Sequence, residues 1–170
     1  MAFDIYDSSA PVFVTMLRNM RAWLDKAATE KSEAELLEAR LIEDMYPLPK
    51  QYQLVSDSAK GAVARLAGME APSMPDTEAS FAELQQRCDK TIAFVESVDR
   101  SAFAGAEERM IELKFANGMG YRWNGADYLR NFVLPNFYFH ATTAYAIMRA
   151  QGVSLGKPDF LQHLGQPEQL

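Results

Sequence analysis

The stretch ADYLRNFVLPNFYFHATTAYAIMRAQ, residues 126–151, has the clearest helical pattern in the chain. Its apolar residues recur every three or four positions, which is typical of a helix that buries one face. The pattern predicts a helix from about Ala126 to Gln151, with Gly152 beyond its end. Pro135 lies inside this helix. Because proline has no amide hydrogen to complete the helical bonding, we expect a kink there.

Three further segments show the same helical period, so the chain contains four long amphipathic helices. These three are predicted from Ser8 or Ser9 to about Ala28, from about Leu48 to Ala67 before Gly68, and from a cap at Asp76 or Thr77 to about Val98. A short helix capped by Ser32 is predicted between the first two. Four long helices of this kind are typical of a four-helix bundle.

The segment before the last helix has the period of a β-strand instead. Apolar residues alternate with Glu112 and Lys114, and again with Gly120 and Arg122. The dipeptide Asn117–Gly118 between the two runs favours a tight turn, so we predict a β-hairpin. The expected fold is an all-α four-helix bundle with a short extra helix and a small β-hairpin before the last long helix. Residues 1–170 are predicted to form one domain, with residues 153–170 as a C-terminal tail.

Composition narrows the functional classes. The net charge of −6 argues against nucleic-acid binding, which needs a basic surface, and no run of about 18 apolar residues predicts a membrane span. The N-terminus lacks the basic and apolar regions of a secretory signal, so a cytoplasmic, bacterial-type protein is expected. Cys88 is the only cysteine, which excludes an internal disulfide and a cysteine-rich zinc site. Its spacing predicts that it points inward and is unreactive.

His140 is the most informative polar residue, and the chain has only one other histidine, His163. At about 100° per residue, His140 shares the apolar sector of the last helix with Asn136 and Thr143. We therefore predict that all three face the bundle interior. A buried imidazole must form hydrogen bonds or bind a metal. Two interpretations stay open: a neutral core histidine with a hydrogen-bond partner, or a metal or acid–base site.

The number of histidines limits the metal interpretation. A three-histidine site needs one imidazole more than the chain has, and His163 is predicted to be solvated in the tail. A metal site would have to use carboxylates, and Glu43 and Asp44 are the nearest candidates by character. The candidate metal ligands are therefore His140, Glu43 and Asp44. No cofactor is the main expectation, with a divalent metal as the alternative.

The motifs LLEARLIEDMYPL, DSAKGAVARLAG and LPNFYFHATTAY occur in an order that resembles a bacterial family known as domain of unknown function 1993. The resemblance extends from about Phe3 to Leu161. It implies membership of the DinB/YfiT-like superfamily of four-helix bundles. Better-known members of that superfamily bind a divalent metal through three histidines, and some use the metal to activate a thiol for transfer. In this sequence Asn136 and Ala144 flank His140 at four residues, and Ser58 stands where some members have histidine.

These observations predict a small-molecule-binding or structural module without the three-histidine site. The alternative is a metal-dependent enzyme related to the DinB-like thiol transferases or hydrolases, so whether the protein is an enzyme stays open. The expected partners are a small-molecule ligand and a second copy of the chain, with no nucleic acid and no membrane. The pocket candidates are His140, Asn136, Gln51, Ser58 and Thr143, with Gln51 at the edge of the buried stripe of its helix.

Overall fold

Four long helices surround one hydrophobic core in the computed structural model, which describes residues 4–169. Residues 1–3 and 170, which belong to the predicted domain, lie outside the described range. The long helices are α1 (Ala10–Glu30), α3 (Leu48–Ala67), α4 (Phe81–Ser97) and α6 (Leu134–Ala150). The shorter elements are α2 (Glu33–Glu38), β1 (Met110–Lys114), β2 (Gly120–Asn124), α5 (Gly125–Tyr128) and α7 (Lys157–Phe160), with 3₁₀ turns at Arg100–Phe103 and Gln162–Leu164. The predicted bundle with a short extra helix and a hairpin is confirmed.

The order of helices around the bundle is α1, α4, α3, α6. Helix α3 packs closely on both α4 and α6, and α1 packs closely on α4. Helices α1 and α6 meet less extensively, chiefly where the rings of Phe13 and Phe137 approach to 4.8 Å. No helix in residues 4–169 combines the length and the apolar character that a membrane crossing requires.

Helix α3 has the bounds that its sequence predicts. Its apolar stripe is buried, and Gly68 ends the helix with a left-handed φ of 70°. Ala59 and Ala62 on this stripe are fully buried, and their small side chains let neighbouring helices approach closely. Cys88 on α4 is buried as predicted, and burial raises the pKa of its thiol to about 12. The thiol is therefore protonated and unreactive at neutral pH.

The predicted start of the third long helix is wrong, because α4 begins at Phe81 rather than after Asp76 or Thr77. The residue that caps it is Ser80, whose hydroxyl accepts the amide hydrogen of Glu83 at 3.2 Å. The Glu83 carboxylate in turn accepts the amide hydrogen of Ala79, the residue before the cap, at 2.6 Å. The Asp76 carboxylate bonds Lys50 and Arg87 instead, so a tertiary contact uses the group that was expected to cap the helix.

The last helix is continuous but irregular. Between α5 and α6, residues Leu129–Val133 form a π-helical turn, and Pro135 lies in the first turn of α6. Since Pro135 cannot donate a backbone hydrogen bond, the local widening of the helix occurs where the sequence predicts a kink.

The hairpin pairs Ile111 with Trp123 and Leu113 with Tyr121. Its turn is closed by Phe115, whose amide donates to the carbonyl of Met119 at 2.7 Å. One face of the hairpin is apolar throughout. At its bundle end Trp123 stacks on Phe132 with ring centroids 5.5 Å apart, whereas the side chains at its far end are exposed. Gly125 follows directly, and a Cβ there would lie 1.9 Å from the carbonyl oxygen of Ala106.

The C-terminal tail is attached to α1. Trp23 donates its indole N–H to the carbonyl of Asp159 at 3.0 Å, and its ring packs on Phe160 with centroids 5.4 Å apart. Val153 and Leu155 are buried in the core. The tail therefore belongs to the same folded unit as the bundle.

Candidate functional site on the seam between α3 and α6

Three polar contacts cross the seam where α3 packs on the last helix. They join Gln51 to His140 at 2.8 Å, Ser58 to Asn136 at 3.5 Å, and Arg65 to Tyr128 at 3.2 Å. The three residues on α3 are seven positions apart, so they lie on one face of the helix. Their partners run in the opposite direction along the last helix, because the two helices are antiparallel. We call these six residues the polar seam.

The Gln51–His140 contact is the best defined of the three. Gln51 is only 1% exposed, and its amide Nε2 donates to the backbone carbonyl of Tyr46 at 3.0 Å. Because a carbonyl can only accept, this bond fixes which end of the amide carries the oxygen. The Gln51 oxygen faces Nδ1 of His140, so Nδ1 must carry the proton. In the neutral imidazole the lone pair then lies on Nε2.

The second ring nitrogen of His140 is open to solvent. Within residues 4–169 it has no protein hydrogen-bond partner, although the side chain is only half exposed. In the same residues, the sole side-chain nitrogen or oxygen that is both buried and unpaired is Nε of Arg87. Desolvation lowers the pKa of His140 below its ordinary value of 6.5, which favours the neutral ring at neutral pH. The site therefore presents an uncharged hydrogen-bond acceptor, Nε2 of His140, and the Gln51 amide fixes the orientation of the ring through Nδ1.

The prediction that Asn136 and His140 face the bundle interior is wrong, since both side chains are half-buried at the edge of the seam. The fully buried positions of α6 are instead Phe137, Ala141, Ala144, Ile147 and Met148. The physical reason is the π-helical turn at Leu129–Val133, which has more residues per turn than an α-helix. Counting at a constant α-helical angle through this turn misaligns Leu129 and Val133 with the residues of α6, which moves the apparent core sector toward Asn136 and His140.

The remaining pocket candidates differ in their surroundings. Ser58 is half-buried, and its contact with Asn136 is long enough to be weak. Thr143 is buried, as predicted, but its hydroxyl donates to the carbonyl of Phe139 in its own helix at 2.7 Å. The structure therefore brings Gln51, Ser58, Asn136 and His140 to one seam. The hydroxyl of Thr143 forms its hydrogen bond within α6 instead.

The side chains at the seam do not fit the three-histidine metal site of the superfamily. The seam has one imidazole, and its other polar groups near His140 are two amides and a hydroxyl, which are weak ligands for zinc or nickel. Glu43 and Asp44 are exposed in the loop between α2 and α3. Across residues 4–169, no three histidine, cysteine, aspartate or glutamate side chains are grouped closely enough to hold a metal ion. His163 lies against α1, where its Nδ1 is 3.0 Å from the Asn19 amide nitrogen.

Arg87 is an important residue that the sequence patterns did not indicate. Its side chain is 2% exposed, and it forms ion pairs of 2.9 to 3.0 Å with Asp57, Asp76 and Glu78. It also donates to the carbonyl of Pro75 at 3.2 Å. These bonds fasten the connector before α4 onto α3 and α4. The sequence did contain one indication: Arg87 lies three residues after Leu84, and this spacing places a charged residue on the buried face of α4.

The fold and the seam define a DinB-like four-helix bundle. The crystal structure of a DinB family member protein from Shewanella denitrificans superposes with a TM-score of 0.86, at 35% sequence identity over 98% of this chain and 95% of that chain. The chain belongs to the family described as Domain of unknown function (DUF1993), whose model matches residues 5–161. No curated protein matches this chain. The resemblance inferred from the sequence motifs is confirmed.

Proposed function

We propose that the protein is a small-molecule-binding bundle whose ligand contacts His140 on the polar seam, and that it functions without a three-histidine metal site. The observation that carries the proposal is the open Nε2 of a half-buried imidazole whose Nδ1 is already bonded to Gln51. A histidine that served only to complete the core would be expected to use both ring nitrogens.

The surroundings of His140 support ligand binding. Phe139 packs edge-on against the imidazole at a centroid distance of 5.1 Å and is 56% exposed. Tyr46, whose carbonyl holds Gln51, is 58% exposed. Small-molecule sites commonly combine aromatic side chains with a few oriented polar groups. The seam offers that combination beside an acceptor whose direction is fixed.

The experiment is a fragment screen followed by NMR of the protein labelled with ¹⁵N. The chain has two histidines, so its imidazole spectrum is simple, and His163→Phe is a matched control variant. We expect at least one group of fragments to shift the His140 ring and the amides of Gln51 and Asn136. Binding should be lost in His140→Phe and retained in His163→Phe. If no fragment affects His140, and His140→Phe only lowers the melting temperature, the histidine is structural and the proposal is wrong.

The alternative function, a metal-dependent enzyme, has a separate test. A metal-binding histidine is usually oriented by a second hydrogen bond, as Gln51 orients His140, and this feature is what favours the alternative. Protein purified without a histidine tag should carry far less than one equivalent of zinc, nickel or manganese by elemental analysis. One equivalent that disappears in His140→Ala and persists in His163→Ala would contradict our proposal and support the enzyme.

The homodimer stays a prediction within this proposal. The surface that favours it is the far end of the hairpin, where Phe115, Met119 and Tyr121 are 49% to 69% exposed. Exposed apolar clusters of this kind often mark contacts between chains. Light scattering after size-exclusion chromatography should give the mass of a dimer, and Met119→Lys with Tyr121→Lys should give that of a monomer.

A further inference from the structure

Each of the two histidines of this chain contacts a buried amide side chain through Nδ1. The amide presents its oxygen to one histidine and its nitrogen to the other. At His140 the amide is Gln51, whose nitrogen donates to the Tyr46 carbonyl and whose oxygen faces Nδ1. At His163 the amide is Asn19, which is 1% exposed. In both cases a backbone carbonyl fixes the orientation of the amide.

The Asn19 amide presents its nitrogen to His163. This nitrogen donates to the carbonyl of Phe160 at 2.9 Å and lies 3.0 Å from Nδ1 of His163. An amide nitrogen only donates, so Nδ1 of His163 must accept, and the proton of the neutral ring lies on Nε2. His140 is the reverse, with the proton on Nδ1 and the lone pair on Nε2. The protein therefore contains one imidazole in each tautomeric form.

We propose that Gln51 is a positioning residue that makes the His140 site select ligands that donate a hydrogen bond, such as a hydroxyl or an amide N–H, over carboxylates and phosphates. The inference rests on the proposed function of this seam. Gln51 contacts Nδ1 of His140 and not the nitrogen that would meet the ligand. It therefore acts on the ligand only by fixing the tautomer of His140. An Nε2 lone pair attracts a donor and repels an anion.

The charges nearest the seam agree with this selectivity. A neutral His140 supplies no positive charge, and the other group next to it, Asn136, is uncharged. The third contact of the seam does contain a cation, Arg65, but its guanidinium is engaged with the hydroxyl of Tyr128 two heptads away along α3. The chain as a whole carries a net charge of −6, which also disfavours anions.

The first measurement is the tautomer of each histidine, read from long-range ¹H–¹⁵N correlations at about pH 8, above the ordinary pKa range of a histidine side chain. A nitrogen with a lone pair and a nitrogen with a proton resonate far apart, so the two forms are easily distinguished. We expect the proton on Nδ1 of His140 and on Nε2 of His163, the latter serving as an internal reference. A proton on Nε2 of His140 would overturn the role of Gln51.

Two variants separate positioning from a purely structural role. Gln51→Glu keeps an acceptor facing Nδ1, so the tautomer of His140 should persist. Gln51→Met removes the acceptor, so the ring should become a mixture of the two tautomers. His163 should be unchanged in both variants, which also shows that they are folded. Unchanged His140 spectra in Gln51→Met would overturn the inference, since the tautomer would then be independent of Gln51.

The second measurement compares three probes of similar shape: phenol, which donates a hydrogen bond, anisole, which does not, and benzoate, which is an anion. We expect phenol to shift the Nε2 resonance of His140 and to bind roughly two- to tenfold more tightly than anisole, the range for one hydrogen bond. The preference should shrink in Gln51→Met and survive in Gln51→Glu. Benzoate binding as tightly as phenol would overturn the ligand class. If no probe shifts a correctly protonated His140, the proposed function fails for these ligands while the role of Gln51 stands.

Discussion

Gln51 and His140 are joined across the α3–α6 seam by a hydrogen bond of 2.8 Å. The nitrogen of the same Gln51 amide donates a second hydrogen bond to the backbone carbonyl of Tyr46. The first bond links a buried side chain to a half-buried one. The pair of bonds therefore ties the loop before α3 to the middle of α6, and leaves the other imidazole nitrogen without a hydrogen-bond partner in residues 4–169.

The stability of the protein should depend on the protonation of His140. Desolvation lowers its pKa in the folded state below the ordinary value of 6.5, so the unfolded chain binds a proton more readily. This contribution to stability is fully present above about pH 6.5 and is lost as the pH falls through the folded-state pKa. Urea denaturation between about pH 5 and pH 8 should show the decrease. The decrease should be smaller in His140→Gln; equal pH dependence in this variant and in the unaltered protein would contradict the assignment.

Removing the Gln51 side-chain amide should destabilise the fold. Gln51→Leu leaves the carbonyl of Tyr46 and the Nδ1–H of His140 without their partner, and an unpaired polar group of this kind costs about 1–3 kcal/mol. Ser58→Ala removes a longer contact between half-buried groups and should cost less than about 1 kcal/mol. Chemical denaturation of both variants measures the difference. Equal costs would mean that the first contact is no stronger than the second.

Arg87 and Arg18 should respond very differently to the same substitution. Arg87→Met removes the buried guanidinium that Asp57, Asp76 and Glu78 share. Because two of these carboxylates are 40% and 34% exposed, we expect a cost of about 1.5–3 kcal/mol, the range for hydrogen bonds to charged groups. Arg18 pairs with Glu96 at 2.6 Å, but the two side chains are 60% and 49% exposed, so Arg18→Met should cost less than about 1 kcal/mol. Denaturation midpoints provide the test. A small effect of Arg87→Met would show that the connector before α4 is held by other contacts.

Gly125 should tolerate no side chain. The Cβ of Gly125→Ala would lie 1.9 Å from the carbonyl oxygen of Ala106, which is backbone and cannot rotate away. Forced overpacking of this kind typically costs about 1–3 kcal/mol. Gly156→Ala is the matched control, since its Cβ would meet only side-chain atoms, Pro158 Cδ at 3.3 Å and Asp159 Oδ2 at 3.7 Å. Thermal denaturation should separate the two variants, and equal melting temperatures would show that the junction between the hairpin and α5 adjusts easily.

Local sequence signals predicted those parts of the fold that local interactions control. The bounds of α3 were predicted because both ends carry their own signals, Pro49 in the first turn and Gly68 after the last residue. The start of α4 was missed because Asp76 resembles a helix cap in sequence but pairs with Arg87 in space. Only a three-dimensional contact could have shown this difference.

Four of the five pocket candidates lie together in the structure, although the sequence misjudged the face on which Asn136 and His140 lie; their role as a binding site stays a prediction. His140, Asn136, Gln51 and Ser58 do meet at one seam, because apolar periodicity identified which helices face each other. Their direction depended on the geometry of Leu129–Val133, and no residue type in that segment distinguishes a π-helical turn from an α-helical one. Pro135 indicated the place of the irregularity but not its form.

The widened turn at Leu129–Val133 also acts as a rotational offset between the two halves of the last helix. Because a π-helical turn holds about one residue more than an α-helical turn, deleting one residue within it would restore regular α-helical winding and leave the downstream residues on their present faces. If the turn instead rewound as an α-helix with all its residues kept, the downstream part would rotate by about 100° about the helix axis, and Phe137 would leave the core. The winding of this single turn therefore determines whether the imidazole of His140 is exposed to solvent or buried.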